Sequence, residues 1–447
     1  MSTISKQGEG SLVIPSRLNL FGQEAIDYSI EDEKDIVYSP LTPFDSAGDL
    51  AGKVYSFTVN PQGDQYLDLK SLRVIGKLKV VKYRDGTAED ITDVENMSVI
   101  NGIPLALFKL ASVTLNSTEV ASCSNYMLPL KAFIETSLSS TNLVKNSYLK
   151  STHLWLEGDD SASDTVKQVV AGDTTSGFAK RKAAFCNNAA HEFSVPLHID
   201  LFSSDLFLIP GVTMRIDLSR NANNYLLLGT GLENFGVQLM DLKLKMRHVQ
   251  VSDAIANHHA ELITMNPLRY HIPYAKMSSH TVSSGVSNTS IMLAQGKMPS
   301  LVLVGFMKQT QFTSRSENPF VIPNMAVDSL YFTLNGKMIP GIPFTPNYAE
   351  NLCLREYEHF VSSLGLNSET NPKEFTIEKF KNNMTLYALN LSHCCNVNTK
   401  HSNPPTGQLE VHAGFSTPPT APLEAISYAV YNSQIIIDKD RHVFFEI

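Results

Sequence analysis

The sequence is poor in cysteine, tryptophan and long apolar runs. Its 447 residues include five cysteines and one tryptophan. An odd handful of thiols makes no disulfide framework and points to a reducing compartment. No apolar stretch approaches the roughly 18 residues needed to cross a bilayer, so no membrane span is expected. Met1–Ser16 lacks the apolar core of a signal peptide, so the chain is expected to be made inside a cell and not secreted by that route. Positive charge is in deficit: Lys plus Arg is 36 against 44 for Asp plus Glu, a net charge of −8. That excludes a dedicated nucleic-acid binder on overall charge and leaves only a local basic face. Catalytic signatures are missing as well. There is no G-x-S-x-G, no Walker loop and no G-x-G-x-x-G after a strand.

What is present is apolar and strand-patterned. Apolar residues make up 43% and charged residues 18%, enough for a sizeable core, and the length suits two to four domains. Leu72, Val74, Leu78 and Val80 alternate with Arg73, Lys77 and Lys79. Leu242, Leu244 and Met246 alternate with Asp241, Lys243, Lys245 and Arg247. A period of two marks a strand with one buried and one wet face. The same reading applies to Leu409, Val411, Ala413 and Phe415, and to Ile426, Tyr428 and Val430. Leu301–Met307 is apolar on both parities and reads as a strand covered on both sides. Turn signals at Arg84–Gly86, Pro210-Gly211, Asn335-Gly336 and Asn403–Gly407 separate the runs. Many short strands between such turns predict antiparallel sandwiches. Helices are expected at Pro129–Ser139, at Tyr348–Leu364 with Asn347 as cap, and at Asp253–Ile263 as a connection between halves.

An approximate repeat runs through the chain. Thr114-Leu115-Asn116 is matched by Thr333-Leu334-Asn335 (333 − 114 = 219), and Asn125-Tyr126 by Asn347-Tyr348 (347 − 125 = 222). Each pair precedes a predicted helix and then a predicted strand, His198–Ser203 in one half and Tyr387–Ser392 in the other. Two units of one order predict two copies of one β-sandwich.

Candidate chemistry is thin. Adjacent His258 and His259, with Glu261, cannot chelate as a zincin pair does, because neighbours on a helix face different ways. Cys394-Cys395, between His393 and His401, lacks the spacing of a zinc site and reads as ordinary thiols; Cys123, Cys186 and Cys353 have no activating pattern. His191-Glu192 lies near His198 and Asp200, and the last two share a strand face, so either a metal or acid/base pair or a cross-strand hydrogen bond would explain them. The rows Lys77, Lys79 and Lys243, Lys245, Arg247 could touch phosphates or be a solvated face. No catalytic, cofactor-binding or metal site is expected, and no cofactor.

Longer words give the chain a resemblance. They are Tyr38–Leu41, Gln65–Leu69, Val74–Val80 followed by Lys82–Thr87, Val113–Asn116, Pro129–Thr136, Leu197–Phe202, Ile209–Ile216 and Asn318–Phe320. In this order they resemble the major capsid proteins of Polinton/Maverick elements and adintoviruses. The resemblance implies an all-β double jelly roll of the adenovirus-hexon lineage, with a few short helices in connecting loops. It implies homotrimers of pseudo-sixfold shape, trimer–trimer contacts in an icosahedral shell, a penton or minor capsid partner and an enclosed double-stranded DNA genome. The expected location is the virion. The expected division is an N-terminal arm at 1–50, a first jelly roll at 51–251, a helical linker at 252–266 and a second jelly roll at 267–447. Polar 158–182 is expected as a surface loop. Leu227–Gly231 fits the cleavage preference of the maturation protease such elements carry, and is read as a hairpin turn. Alternatives are an enzyme on the same scaffold, an amidase or a copper oxygenase, and a domesticated host binding protein.

Overall fold

The computed structural model describes residues 30–41, 52–61, 63–84, 87–89, 91, 97–123, 127–157, 176–185, 189–229, 234–367, 375–391 and 406–447. In the first half the main strands are β1 (Ile30–Tyr38), β2 (Val54–Val59), β3 (Tyr66–Arg84), β4 (Phe108–Leu115), β5 (Thr118–Cys123), β6 (His191–Val195), β7 (Met214–Arg220) and β8 (Phe235–Val251). In the second half they are β9 (Leu268–Val282), β10 (Asn288–Lys297), β11 (Leu301–Lys308), β12 (Val327–Leu334), β13 (Lys337–Phe344), β14 (Tyr387–Asn390), β15 (Thr406–Phe415) and β16 (Leu423–Ile437).

The first half pairs β1-β8-β3-β6 in one sheet and β2-β7-β4-β5 in the other. The second half pairs β9-β16-β11-β14 and β10-β15-β12-β13. Adding eight to each strand number of the first half gives the second, and every pair is antiparallel. Two four-stranded sheets connected in this way form a jelly roll, so the chain is a double jelly roll. The T-L-N words of the repeat end β4 and β12. Each leads into a two-residue hairpin, Asn116-Ser117 and Asn335-Gly336. Asn335 (φ 52°) and Gly336 (φ 77°) both adopt the left-handed conformation that a tight hairpin of the primed type needs.

The period-two reading holds where the ladder is regular. Leu72, Val74, Leu78 and Val80 are buried, as are Leu242, Leu244 and Met246. A bulge between Leu239 and Asp241 moves the buried set of β8 from odd residues, Val237 and Leu239, to even ones, and leaves Met240 exposed. Gly76 makes room for it. A Cβ there would lie 2.4 Å from the Asp241 carbonyl oxygen and 2.7 Å from the Phe193 ring.

β11 is covered on both faces. Val302, Val304 and Phe306 enter the core between the sheets of the second jelly roll. Leu303 and Met307 face the other way, into a larger cluster continuous with the core of the first half. β16 behaves likewise, with Ala425 and Ala429 inside and Ile426 outside, so its expected wet face is buried.

Several expected elements move. His198–Ser203 is not a strand. Pro196 lacks the N–H a ladder needs, the first-half strand lies earlier as β6, and Asp200–Ser203 is a 3-10 turn. The helix expected from Tyr348 begins at Leu354 and runs to Ser363. Asn347 does accept a hydrogen bond from the Glu350 N–H at 3.2 Å, but Asn351 sits at φ 60° and interrupts the turn. The other two helices stand at Met127–Ser139 and Asp253–Met265. Of the polar loop, 158–175 lies outside the described residues, and Gly177–Phe185 is a helix with Arg181 buried. Residues 1–29 of the expected arm are also outside the described residues, whereas Ile30–Tyr38 pairs with β8.

Candidate functional site

His198 and Asp200 do meet partners, but not each other. His198 Nδ1 lies 2.7 Å from Glu135 Oε2, and the Lys131 ammonium lies 2.8 Å from Asp200 Oδ2 and 3.7 Å from Glu135 Oε1. Lys131 and Glu135 are one turn apart on the Met127–Ser139 helix. The second jelly roll closes the cluster: the Tyr428 hydroxyl of β16 donates to Glu135 Oε1 at 3.0 Å, and the Ala275 N–H of β9 donates to Asp200 Oδ2 at 2.9 Å. The helix and the 198–200 segment of one half are thus fastened to two strands of the other. Phe133, on the same helix, stacks 4.4 Å from Phe320 of the second half and 5.3 Å from Trp155. Across another part of the joint, Asn116 Nδ2 and Thr118 Oγ1 each donate at 2.7 Å, to the carbonyls of Arg441 and Val443.

The charges of the cluster are tuned by one another. Burial pushes the Glu135 carboxyl up, but His198, Lys131 and Tyr428 outweigh it and the net shift is downward. Burial dominates at Asp200 and raises it despite Lys131. Burial, reinforced by Glu135 and Asp200, drives the Tyr428 hydroxyl far up. Nearby His153 is pushed down to about 3 by burial, with His198 and Arg73 adding to the effect, and stays neutral. A cavity of about 20 Å³ that His198 helps to line has room for about one water. A set of mutually satisfied charges that bridges the two halves works as a fastening.

The remaining candidates have structural partners. His259 Nδ1 is 2.8 Å from the Tyr66 hydroxyl, on the Asp253–Met265 helix. His191 Nε2 is 2.9 Å from the Ala184 carbonyl. Cys353 is buried, and burial, helped by Glu356, raises its thiol. Cys186, His393, Cys394, Cys395 and His401 lie outside the described residues, as does the Cys123 side chain. Leu227–Gly229 pairs with Met97–Val99 in a buried two-stranded sheet; Thr230 and Gly231 lie outside the described residues. The basic row of β8 is answered by β1 and by its own strand: Lys245 bonds Asp35 of β1 at 2.7 Å, Arg247 bonds Glu33 of β1 at 3.2 Å, and Lys243 bonds Asp241 of β8 at 2.8 Å. Those ion pairs make it a solvated, self-neutralised face.

Two features escaped the sequence. Asp438, Asp440 and His442 come together, yet both Asp438 oxygens already accept within the turn, from the N–H groups of Asp440 (2.9 Å) and His442 (2.8 Å) and opposite His442 Nδ1 (3.0 Å). The other is an open apolar groove of about 610 Å³ at the seam between halves, between the Asp253–Met265 helix, the 205–209 loop and the starts of β3 and β9.

No protein-family model and no curated protein matches the sequence. Solved structures do match in three dimensions. A chain of the cryo-EM structure of the Sputnik virophage aligns at TM-score 0.60 and 11% identity, covering 100% of this chain and 95% of that one. The crystal structure of the mavirus major capsid protein aligns at 0.52 and 13%, over 100% and 97%. A chain of the PBCV-1 virus capsid aligns at 0.56 and 11%, over 96% and 99%. These neighbours are double jelly-roll viral capsid proteins, and at such identities the likeness establishes the fold.

Proposed function

We propose that the chain is a major capsid protein, a structural protein and not an enzyme, whose work is to associate with its own copies. Three copies form a pseudo-hexameric trimer, since each brings two jelly rolls, and trimers tile an icosahedral shell around double-stranded DNA with a penton partner at the vertices. The words shared with Polinton/Maverick and adintovirus capsid proteins assign it to a virion of that type. The reading divides the chain at 51–251, 252–266 and 267–447, with the strand Ile30–Tyr38 of the expected 1–50 arm added to the first jelly roll. One observation carries it: a complete jelly roll is present twice, strand for strand, and the whole length superposes on whole capsid chains. The fastening between the rolls supports it too, because a rigid pair of rolls is the wedge that threefold packing needs. The ion-paired face of β1 and β8 argues that this surface does not grip the genome.

Light scattering on the purified chain tests the reading. A species near three times 49.4 kDa is expected. Monomer alone over a wide concentration range would overturn it.

A further inference from the structure

The groove at the seam has no occupant among the described residues, and the chain brings one to its edge. Its walls include Phe207, Val251, Ile263 and Leu268, and half-exposed Leu262 stands at its rim. Val251 is the cross-strand partner of Ile30, the first described residue of β1. The residues ahead of Ile30 are therefore tethered at the groove wall. Ten of them, Leu12–Phe21, read L-V-I-P-S-R-L-N-L-F, with one charge and six large apolar side chains. Eight residues separate Phe21 from Ile30, and an extended chain spans roughly 3.3–3.6 Å per residue, so the segment reaches any point of the groove. The groove has the size of sites that bury apolar groups, roughly 300–1,000 Å³.

We infer that Leu12–Phe21 docks into the groove of its own chain, laying apolar side chains against Val251, Leu262 and Ile263 and bracing the linker helix against both jelly rolls. Tethering favours the chain's own segment over a neighbour's, because a short link holds it at an effective concentration on the order of millimolar. The inference stands apart from the capsid reading, since it needs no second copy.

Cysteine cross-linking in the full chain tests it. Leu18→Cys with Leu262→Cys should give an 18–262 disulfide within one chain, identified by mass spectrometry of the digest. Leu18→Cys with Met292→Cys, exposed elsewhere on the second jelly roll, should give none. Mixing chains that each carry one of the two cysteines should give no link between chains. Hydrogen exchange supplies a second readout without new thiols: Leu18→Asp with Leu20→Asp should speed exchange across 253–265. An absent 18–262 link, a link found only in the mixture, or unchanged exchange in the double aspartate variant would each overturn the inference. Light scattering on the same variants separates the outcomes, since trimers that persist without the link leave the capsid reading standing.

Discussion

The outer face of the sheet containing β1, β8 and β3 is wet, and its charges answer one another: Asp35 meets Lys245, and Glu33 meets Arg247. The matching face in the second jelly roll is buried along β11 and at the facing part of β16, where it carries Leu303, Met307 and Ile426. The strand order of the two sheets is the same, and the chemistry outside them is opposite. Topology was duplicated; surface chemistry was not. Strand order is held by backbone ladders and by the inward face, so outward residues are free to follow whatever they face. This is why the halves share an order of elements and only a few short words.

Substitutions can break that contrast. Leu303→Lys removes a buried leucine and places an ammonium against the first half, and should cost about 4–5 kcal/mol. Lys243→Leu, on the wet face, should change stability by no more than about 0.5 kcal/mol. Denaturant midpoints check both; equal losses would erase the distinction between the two faces.

Next in size is the fastening. Lys131→Met leaves Asp200 and Glu135 facing one another without their shared cation, and should cost about 3 kcal/mol. Acid acts on the cluster in two directions. Glu135 is held below its ordinary range, so the stability it contributes is present at neutral pH and lost as pH falls below about 4.3, its unfolded value. Asp200 is held above its range, so its contribution is full below about 3.9 and lost as pH rises through the raised value. Between pH 7 and pH 4, Glu135→Gln should therefore lose less stability than the natural chain, and Asp200→Asn more. Melting temperatures at both pH values decide it, and identical slopes would deny the two carboxyls opposite roles.

The smallest effect separates the two hairpins. Gly336→Ala forces a Cβ into a left-handed residue and should cost about 1 kcal/mol. Ser117→Ala at the matching turn should be nearly silent, because only Asn116 of that pair is left-handed. Thermal unfolding of the two single variants compares them directly.

Much of the fold was legible because period two survives wherever one face is wet. Leu72–Val80 of β3 and Asp241–Arg247 of β8 could be read residue by residue, and Leu301–Met307 declared both of its faces apolar. Bulges were not legible: the parity switch at Met240 depends on a glycine in a partner strand far away in sequence. Nor was the cluster. His198 and Asp200 drew attention as neighbours on an expected strand, whereas their partners, Glu135 and Lys131, sat on a helix read only for its apolar side. Lys131 and Glu135 at positions i and i+4 were the available signal, and that spacing is common on exposed helices, where it is worth little.

The shared strands have one more consequence. β11 and β16 each present one face to their own sandwich and the other to a core that continues into the first. Neither roll can melt without stripping cover from the other, so calorimetry would register one endotherm whose van't Hoff and measured heats agree. Cutting the chain at its linker helix would then yield two insoluble fragments, each with an unclothed flank.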